Sequence, residues 1–233
     1  MRTNGRAVVA IDGPSGVGKS TIAGRLAQRL GLPYLETGAM YRALAWKALD
    51  GGVDPYDQAG VETLAGNLDL ELREYPDGRV EIRLDNQPLD KRIRAPRVSE
   101  ITSLISSYPG VRREMVQRQR DFAQRRGAVM EGRDIGTRVF PDTQFKFFLT
   151  APLEVRVNRR LHQLRAAGEA QLSREAIEAE VEGRDLRDSG RAESPLTMDG
   201  SYTVVDTGEL SVEEAVDLIS RVVEQTQDND STG

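Results

Sequence analysis

Hydrophobic residues in this chain recur with two spacings, one typical of buried strands and one typical of amphipathic helices. Residues 7–11 form a short apolar run that predicts a buried strand. Residues 19–30 follow with helical spacing and predict a helix that ends at Gly31, with Pro33 just beyond it as a second stop signal. Residues 32–35 predict another short strand. The beginning of the chain is therefore predicted to alternate strand and helix.

The alternation continues through the second half of the chain. The predicted elements are a helix at residues 111–126, strands at 128–130, 145–149 and 202–205, and helices that begin at Pro152 and after Ser211. Gly127 and Gly168 are predicted to end the first two of these helices. Ser211 and Glu214 have the spacing of a capping box, and the polar residues 227–233 are expected to be disordered. The pattern predicts an α/β fold, a doubly wound parallel sheet with helices on both faces.

One segment departs from this pattern. Residues 68–85 place apolar side chains at every second position on both sides of a Pro-Asp-Gly turn, which predicts a β-hairpin. With its leucine-rich flanks, the hairpin is expected to form a small subdomain at residues 62–95, inserted between two helical stretches of the main fold. The whole chain, residues 1–233, is otherwise expected to form one main domain.

Composition restricts the classes of function. Charged residues make up 30% of the chain and its formal net charge is −5, which argues against a general affinity for nucleic acid. Cysteine is absent, which excludes disulfides and thiol nucleophiles, and a single histidine, His162, disfavours a zinc site. His162 lies among polar residues of a predicted helix and is expected to be solvated.

The sequence shows no targeting or membrane segment. Its first residues, MRTNGRAVVAI, lack the pattern of a signal peptide. No apolar run approaches the roughly 18 residues of a membrane span. We therefore expect a cytoplasmic protein without a membrane partner.

A phosphate-binding motif, G-x-x-x-x-G-K-[ST], lies between the first predicted strand and helix. The motif comprises Gly13, Pro14, Ser15, Gly16, Val17, Gly18, Lys19 and Ser20, and the next residue, Thr21, is taken with it. Backbone N–H groups of such a loop and the N-terminus of the helix converge on one anion. Lys19 is predicted to bridge the β- and γ-phosphates of ATP, and the Ser20 hydroxyl to ligate Mg²⁺.

Phosphate loops occur in several classes of protein, and the rest of the sequence narrows the choice. A GTPase should carry an N-K-x-D motif, but no asparagine here is followed by lysine. A motor or helicase ATPase should end a hydrophobic strand in an acidic pair, whereas the strand at 145–149 ends in Thr150. A small kinase is favoured. A kinase for UMP, AMP or a sugar acid, and a nucleotide-dependent switch or nucleic-acid-binding ATPase, remain as alternatives.

Three later segments carry charged residues that suit an acceptor site. They are ETGAMYR (36–42), EGRDIGTRVFP (131–141) and GRDLRDSGR (183–191). Each segment alone has a simpler explanation. In the first, Thr37 could cap a helix and Arg42 could be solvated. The second could be a charged turn, and the third a surface ladder of ion pairs between Arg184, Asp188 and Arg191.

Taken together, the three segments predict one site. The carboxyl ends of parallel strands line the ligand crevice of a doubly wound sheet, so Arg133 and Asp134 should face the same cleft as the phosphate loop. Four arginines from distant segments are therefore predicted to converge there: Arg42, Arg133, Arg184 and Arg191.

With these segments, the chain resembles the cytidylate kinase family of nucleoside-monophosphate kinases. The phosphate loop, TGAMYR, the hairpin insert, SSYPGVRREMVQRQRDF, GRDIGTRVFPD and RDLRDSGRAESPL occur in family order over nearly the whole chain. The resemblance implies a monomer with a core, a monophosphate-binding insert and a mobile lid at about residues 156–187. It implies γ-phosphoryl transfer from Mg·ATP to CMP or dCMP.

The resemblance also implies roles for individual residues. Arg42, Arg133 and Arg191 would hold the acceptor phosphate, and Arg184 and Asp188 would lie near the sugar. The CMP site would also include Thr37, with Ser103, Arg112 and Asp134 reading the base. The catalytic residues would be Lys19, Arg133, Arg184, Arg191 and Arg159. Arg159 and Arg160 are candidates to touch the transferring group. Two positions depart from the family pattern, Glu36 and Glu131, where the family usually has Asp.

Overall fold

The protein is described by a computed structural model covering residues 7–76, 78–166, 173–191 and 194–231. In chain order its strands are β1 (Val8–Asp12), β2 (Tyr34–Glu36), β3 (Leu70–Glu74), β4 (Val80–Leu84), β5 (Gln87–Pro88), β6 (Ala128–Gly132), β7 (Phe145–Thr150) and β8 (Thr203–Asp206). Its helices are α1 (Lys19–Leu30), α2 (Thr37–Asp50), α3 (Gln58–Gly66), α4 (Pro96–Ile105), α5 (Pro109–Ala123), α6 (Leu153–Ala166), α7 (Arg174–Ser189) and α8 (Val212–Ser231). A 3₁₀ turn at Lys91–Arg94 and a π-helical turn at Ile135–Val139 complete the list.

Five strands form the central sheet in the order β2-β6-β1-β7-β8, and every neighbouring pair is parallel. The register aligns Asp12 with Gly132 and Glu36 with Glu131, so β1, β2 and β6 end at the same level. The carboxyl ends of these strands therefore open onto one edge of the sheet, where ligands bind in folds of this kind.

Helices cover both faces of the sheet, as the sequence predicts. Along β1, Val9 and Ile11 pack on the side of α1 and α8, with Leu26 and Ile219 among the buried residues there. Val8 and Ala10 point the other way and pack with buried residues of α2 and α5, such as Leu44 and Met115. This alternation follows from the two-residue period of a strand and gives each face its own core.

The hairpin predicted between residues 68 and 85 is present. Strands β3 and β4 are antiparallel, with Leu70 opposite Leu84, and both leucines are buried in the core on the α2 side. The two-residue strand β5, which the sequence analysis did not identify, pairs with β4 and completes a small three-stranded sheet. Asp77, in the predicted Pro-Asp-Gly turn, lies outside the described residues.

Local signals placed several helix ends correctly. Helix α1 has the predicted bounds, and Gly31 closes it in the left-handed conformation at φ 62°. The capping box of α8 is formed, since Ser211 N–H donates to Glu214 Oε2 (2.8 Å) and Glu214 N–H donates to Ser211 Oγ (3.2 Å). The predicted stop at Gly168 lies outside the described residues. His162 is exposed, as expected.

Several boundaries differ from the prediction; helix α5, for example, ends at Ala123, three residues before the predicted end at residue 126. Helix α5 begins at Pro109, two residues before the predicted start, because proline suits the first turn of a helix. Helix α8 continues to Ser231, into the segment 227–233 that the sequence predicts to be disordered, and no glycine or proline interrupts the segment before Gly233. None of the helices in the described ranges has the length and hydrophobicity needed to cross a membrane.

Candidate active site

The phosphate loop connects β1 to α1 and depends on glycine. Gly13, Gly16 and Gly18 have φ values of 148°, 80° and 94°, a region that other residues rarely adopt. A Cβ on Gly13 would lie 2.4 Å from the Leu149 carbonyl oxygen. Gly18 is the N-cap of α1, and the first N–H groups of a helix have no partner within it. The loop therefore presents backbone donors to an anion.

Lys19 is buried at the start of α1, and its Nζ donates to the Pro14 carbonyl oxygen at 2.7 Å. Burial is the main cause that lowers its pKa to about 7, the charge of Arg133 acts in the same direction, and Glu131 opposes both. An anionic phosphate beside Lys19 would reverse this shift, because a nearby opposite charge favours the protonated form.

Helices α6 and α7 are tied to the phosphate loop. Ser15 N–H donates to Asp185 Oδ1 at 3.1 Å. Arg156 pairs with Asp185, and its Nη1 also donates to the Ser15 carbonyl oxygen at 3.2 Å. Arg159 also donates to the phosphate loop, at the Val17 carbonyl oxygen (3.4 Å), and it donates to the Thr207 carbonyl oxygen at 2.6 Å and to Thr207 Oγ1 at 3.1 Å. Its guanidinium thus holds the loop before α8, and its predicted contact with the transferring group stays a prediction.

Asp188, near the end of α7, lies at the centre of an arginine cluster. Its carboxylate accepts from Arg133 Nε at 2.6 Å and from Arg191 Nη2 at 2.5 Å, and Arg184 Nε lies 4.0 Å away. Burial alone would raise the pKa of Asp188, but the three arginines outweigh it and lower this pKa. One carboxylate therefore holds three arginines from two separate parts of the chain in place.

The cluster has more positive than negative charge. Burial, with the charge of Arg133, lowers the pKa of Arg184 to about 10, and burial also lowers the pKa of Arg42 and Arg191. Within the described part of the chain, Arg42 donates no hydrogen bond and the buried Nε of Arg191 has no partner. Donors left without acceptors beside several like charges make a site for an anion.

The predicted base-reading residues lie near this cluster, since the charges of Arg112 and Asp134 act on the pKa of Arg191. Arg112 and Asp134 are both buried and form an ion pair. Arg112 Nη1 also donates to the carbonyl oxygen of Ser106 at 3.1 Å, and the Ser106 hydroxyl donates to the Ser103 carbonyl oxygen at 3.2 Å. The Ser103 hydroxyl accepts from Arg187 Nε at 3.3 Å. Ser103 is therefore one helical turn from the residue that supports Arg112.

An acidic residue lies at the end of each of β2 and β6, and the one on β6, Glu131, acts on the pKa of Lys19. Glu36 pairs with Arg94 at 2.9 Å, while Glu131 is buried, which raises its pKa. Thr37 is the first residue of α2, and its hydroxyl donates to the Glu131 carbonyl oxygen at 2.8 Å. The expectation that Thr37 caps this helix is therefore wrong, because its hydroxyl joins β6 to α2 instead.

The residues present fit a magnesium ion that accompanies a nucleotide. Across the described ranges, no group of three or more acidic, cysteine or histidine side chains could hold a metal by itself. Mg²⁺ in kinases takes most of its oxygen ligands from phosphates and water, and needs only one or two from the protein. Ser20 is exposed at the N-terminus of α1 and suits this role.

Sequence reasoning missed three residues of this region. Asp185 and Arg156 bind the phosphate loop, and Asp12 is a fully buried carboxylate at the end of β1. Asp12 had a visible signal, because a charged residue ends an otherwise apolar strand directly before Gly13. Nothing in the sequence distinguishes Asp185 from its acidic neighbours on α7.

Comparison with known proteins gives one consistent result. A sequence profile described as cytidylate kinase matches residues 9–225. The cytidylate kinase of Symbiobacterium thermophilum is 43% identical over 220 residues, which cover 94% of this chain and 96% of that protein. The cytidylate kinase of Solibacter usitatus is 45% identical over 219 residues, which cover 94% of this chain and 92% of that protein.

Some relatives are longer. A bifunctional pantoate ligase/cytidylate kinase of Synechococcus sp. strain JA-3-3Ab is 45% identical over 222 residues, 94% of this chain but 41% of that protein. The chain thus spans about two fifths of such bifunctional relatives. Among solved structures, an uncharacterized protein from Eubacterium ventriosum aligns with a TM-score of 0.52 at 15% identity, over 94% of this chain and 99% of that one. This likeness supports the fold.

Proposed function

The chain belongs to the cytidylate kinase family, and from this premise we propose that it transfers the γ-phosphoryl group of ATP to CMP or dCMP, giving ADP and CDP or dCDP. The observation that carries the proposal is the arginine cluster around Asp188, which lies close enough to Lys19 that Arg133 and Arg184 alter its pKa. Donor and acceptor phosphates would therefore meet in one cleft.

On the donor side, the phosphate loop would hold the β-phosphate of ATP and Lys19 would bridge the β- and γ-phosphates. Ser20 would ligate Mg²⁺, which when bound neutralises charge on the phosphate chain. Lys19 would exchange the Pro14 carbonyl oxygen for phosphate oxygens and stay protonated near neutral pH.

On the acceptor side, no general base is required. A phosphate monoester has its second pKa near 6, so the acceptor is already a nucleophilic anion at neutral pH. The barrier is the repulsion between two anionic phosphate chains, and cations must outweigh it. Arg42, Arg133 and Arg191 would hold the acceptor phosphate, while Arg184 and Asp188 would lie near the sugar. Arg133 would act on the phosphates of both nucleotides, since it binds Asp188 and its charge also acts on Lys19.

The base would be read by Asp134, Arg112 and Ser103. Cytosine presents an amino donor at N4 and acceptors at N3 and O2, which suit a carboxylate and two donors. Uracil instead presents an acceptor in place of the N4 amino group and a donor at N3. Mispairing of such buried groups costs about 1–3 kcal/mol for each group, enough to discriminate against UMP.

Two segments would close over the substrates. The hairpin-containing insert at residues 62–95 would cover CMP, and the lid segment at residues 156–187 would cover the phosphates; residues 167–172 of this segment lie outside the described residues. Closure excludes water that would otherwise hydrolyse ATP. Arg159, which donates to Thr207 and to the Val17 carbonyl oxygen of the phosphate loop, would contact the transferring group.

The experiment that tests the proposal is an ADP-release assay with CMP, dCMP, UMP, AMP and a sugar acid as acceptors, at concentrations well below saturation. We expect turnover of CMP and dCMP that exceeds turnover of the other acceptors by at least about tenfold. Preference for another acceptor would contradict the proposal. On family resemblance we also propose a cytoplasmic monomer without a nucleic-acid partner, which size-exclusion chromatography and a gel-shift assay would check.

A further inference from the structure

Asp12 is a fully buried carboxylate that the proposed reaction does not use. It is the last residue of β1 and none of its surface is exposed. Its Oδ1 accepts the N–H of Ile135 at 2.9 Å, and its Oδ2 accepts the N–H of Gly136 at 2.9 Å and the Tyr202 hydroxyl at 2.8 Å. Three donors from two distant segments thus converge on one side chain.

This arrangement requires a carboxylate. Burial raises the pKa of Asp12 to about 6, the two backbone N–H groups and the Tyr202 hydroxyl oppose the rise, and the charge of Asp134 adds to it. Asp12 is therefore mostly ionised at neutral pH, and both its oxygens act as acceptors. An amide of the same size would place an NH₂ group against one of the backbone donors.

The bonds of Asp12 join two functional segments. The residue after Asp12 is Gly13, the first glycine of the phosphate loop. Ile135 and Gly136 directly follow Arg133 and Asp134.

The contact is also tightly packed. A Cβ on Gly136 would lie 2.5 Å from the Tyr202 hydroxyl oxygen, so this position has no room for a side chain. The turn at Ile135 and Gly136 is therefore held against the end of β1 by hydrogen bonds to the Asp12 carboxylate and by close packing.

We propose that Asp12 is a positioning residue for the acceptor site: it fixes the turn that carries Arg133 and Asp134 to the strand that carries the phosphate loop, and so sets the distance between acceptor and donor. The inference rests on the proposed function, because it assigns a role in placing CMP against ATP. Asp12 itself would touch neither substrate.

The proposal predicts an effect on one substrate. The phosphate loop is shaped by its own glycines and by α1, so it should survive without the bonds of Asp12. The turn at Arg133 and Asp134 would lose two of its backbone contacts. A purely structural role would instead lower the fraction of active enzyme, and with it kcat, without changing KM for CMP alone.

The test is Asp12→Asn, measured by steady-state kinetics and by calorimetric binding of each nucleotide to the folded protein. We expect KM and Kd for CMP to rise at least about tenfold, while Kd for ATP changes less than about threefold. The matched control is Asp217→Asn, which alters a surface carboxylate paired with Arg29 and should leave both affinities unchanged. Equal weakening of both substrates, or no change in CMP affinity, would overturn the proposal.

Tyr202→Phe provides a second test that keeps both backbone bonds and removes only the hydroxyl. A smaller rise of about two- to fivefold in KM for CMP is expected, again without loss of ATP affinity. If Asp12→Asn does not fold, this variant decides, and an unchanged KM for CMP would overturn the proposal. Failure of the proposed function would be seen separately, as absence of CMP turnover by the wild-type protein.

Discussion

At the scale of single residues, the site depends on the glycines that shape the phosphate loop and on buried charged groups such as Lys19 and Asp188. The glycines of the phosphate loop are marked by a motif because φ values such as the 94° of Gly18 exclude other residues. The simpler explanation of Thr37, a cap of α2, does not hold, because its hydroxyl donates to the Glu131 carbonyl oxygen. The bonds of Asp12 could not be predicted, since nothing in the sequence reveals which distant N–H groups it accepts.

The first prediction concerns charge on the donor and acceptor sides. Lys19→Ala and Arg191→Ala should each reduce kcat by about a hundredfold or more while the fold survives, because each removes a cation that offsets phosphate repulsion. Turnover by the ADP-release assay and circular dichroism would check this. Arg29→Ala, which removes a surface arginine, is the matched control and should keep full activity. CMP turnover retained in either site variant would contradict the assigned role.

The second prediction uses the pKa of Lys19. In the free protein this pKa is lowered to about 7, mainly by burial, so above pH 7 Lys19 is mostly neutral. Phosphate binding raises the pKa and requires proton uptake. ATP affinity should therefore fall as pH rises from about 7 to 9, by up to about tenfold per unit. Calorimetry in two buffers of different ionisation enthalpy at about pH 8 would measure the proton uptake. No uptake would contradict the prediction.

The third prediction concerns base selectivity. Asp134→Asn keeps the size of the side chain but adds a donor, so the preference for CMP over UMP should fall by about tenfold or more. The ratio of kcat/KM for the two acceptors measures this. An unchanged ratio would remove Asp134 from base recognition and leave it only as the partner of Arg112.

At the scale of elements, the sequence predicts well those helices and strands whose pattern lies within one segment. The bounds of α1 follow from the phosphate loop before it and from Gly31 after it. Alternation of apolar residues gave β3 and β4. The two-residue strand β5, which pairs with β4, is too short to carry such a pattern, so it could not be predicted from sequence.

The fourth prediction concerns the attachment of α7 to the phosphate loop. Asp185→Ala would remove the acceptor of Ser15 N–H and the partner of Arg156. Backbone amides of α7 should then exchange with deuterium faster in the absence of nucleotide, while those of α1 should not change. Hydrogen-exchange mass spectrometry would show the difference, and the control is Asp206→Ala, which removes the acceptor of Gly208 N–H instead. Unchanged exchange in α7 would contradict the role of Asp185.

At the scale of the whole molecule, the sequence predicted the parallel sheet and its two helical layers, and both are confirmed. The convergence of the arginines could be predicted only through this topology, because Arg133 follows β6 whereas Arg184 and Arg191 lie near the end of α7, more than 50 residues later. Topology does not predict that Asp188 lies at the centre of this cluster, where it holds arginines from both segments.

The central claim is that one cleft neutralises two nucleotides placed end to end, and a linked ligand tests it directly. Adenosine and cytidine joined through five phosphates should bind, by calorimetry, at least about a hundredfold more tightly than ATP or CMP alone, since one association fills both sites. Arg133→Ala should remove most of this gain. A linked ligand that binds no more tightly than ATP alone would show that the two sites do not share a cleft.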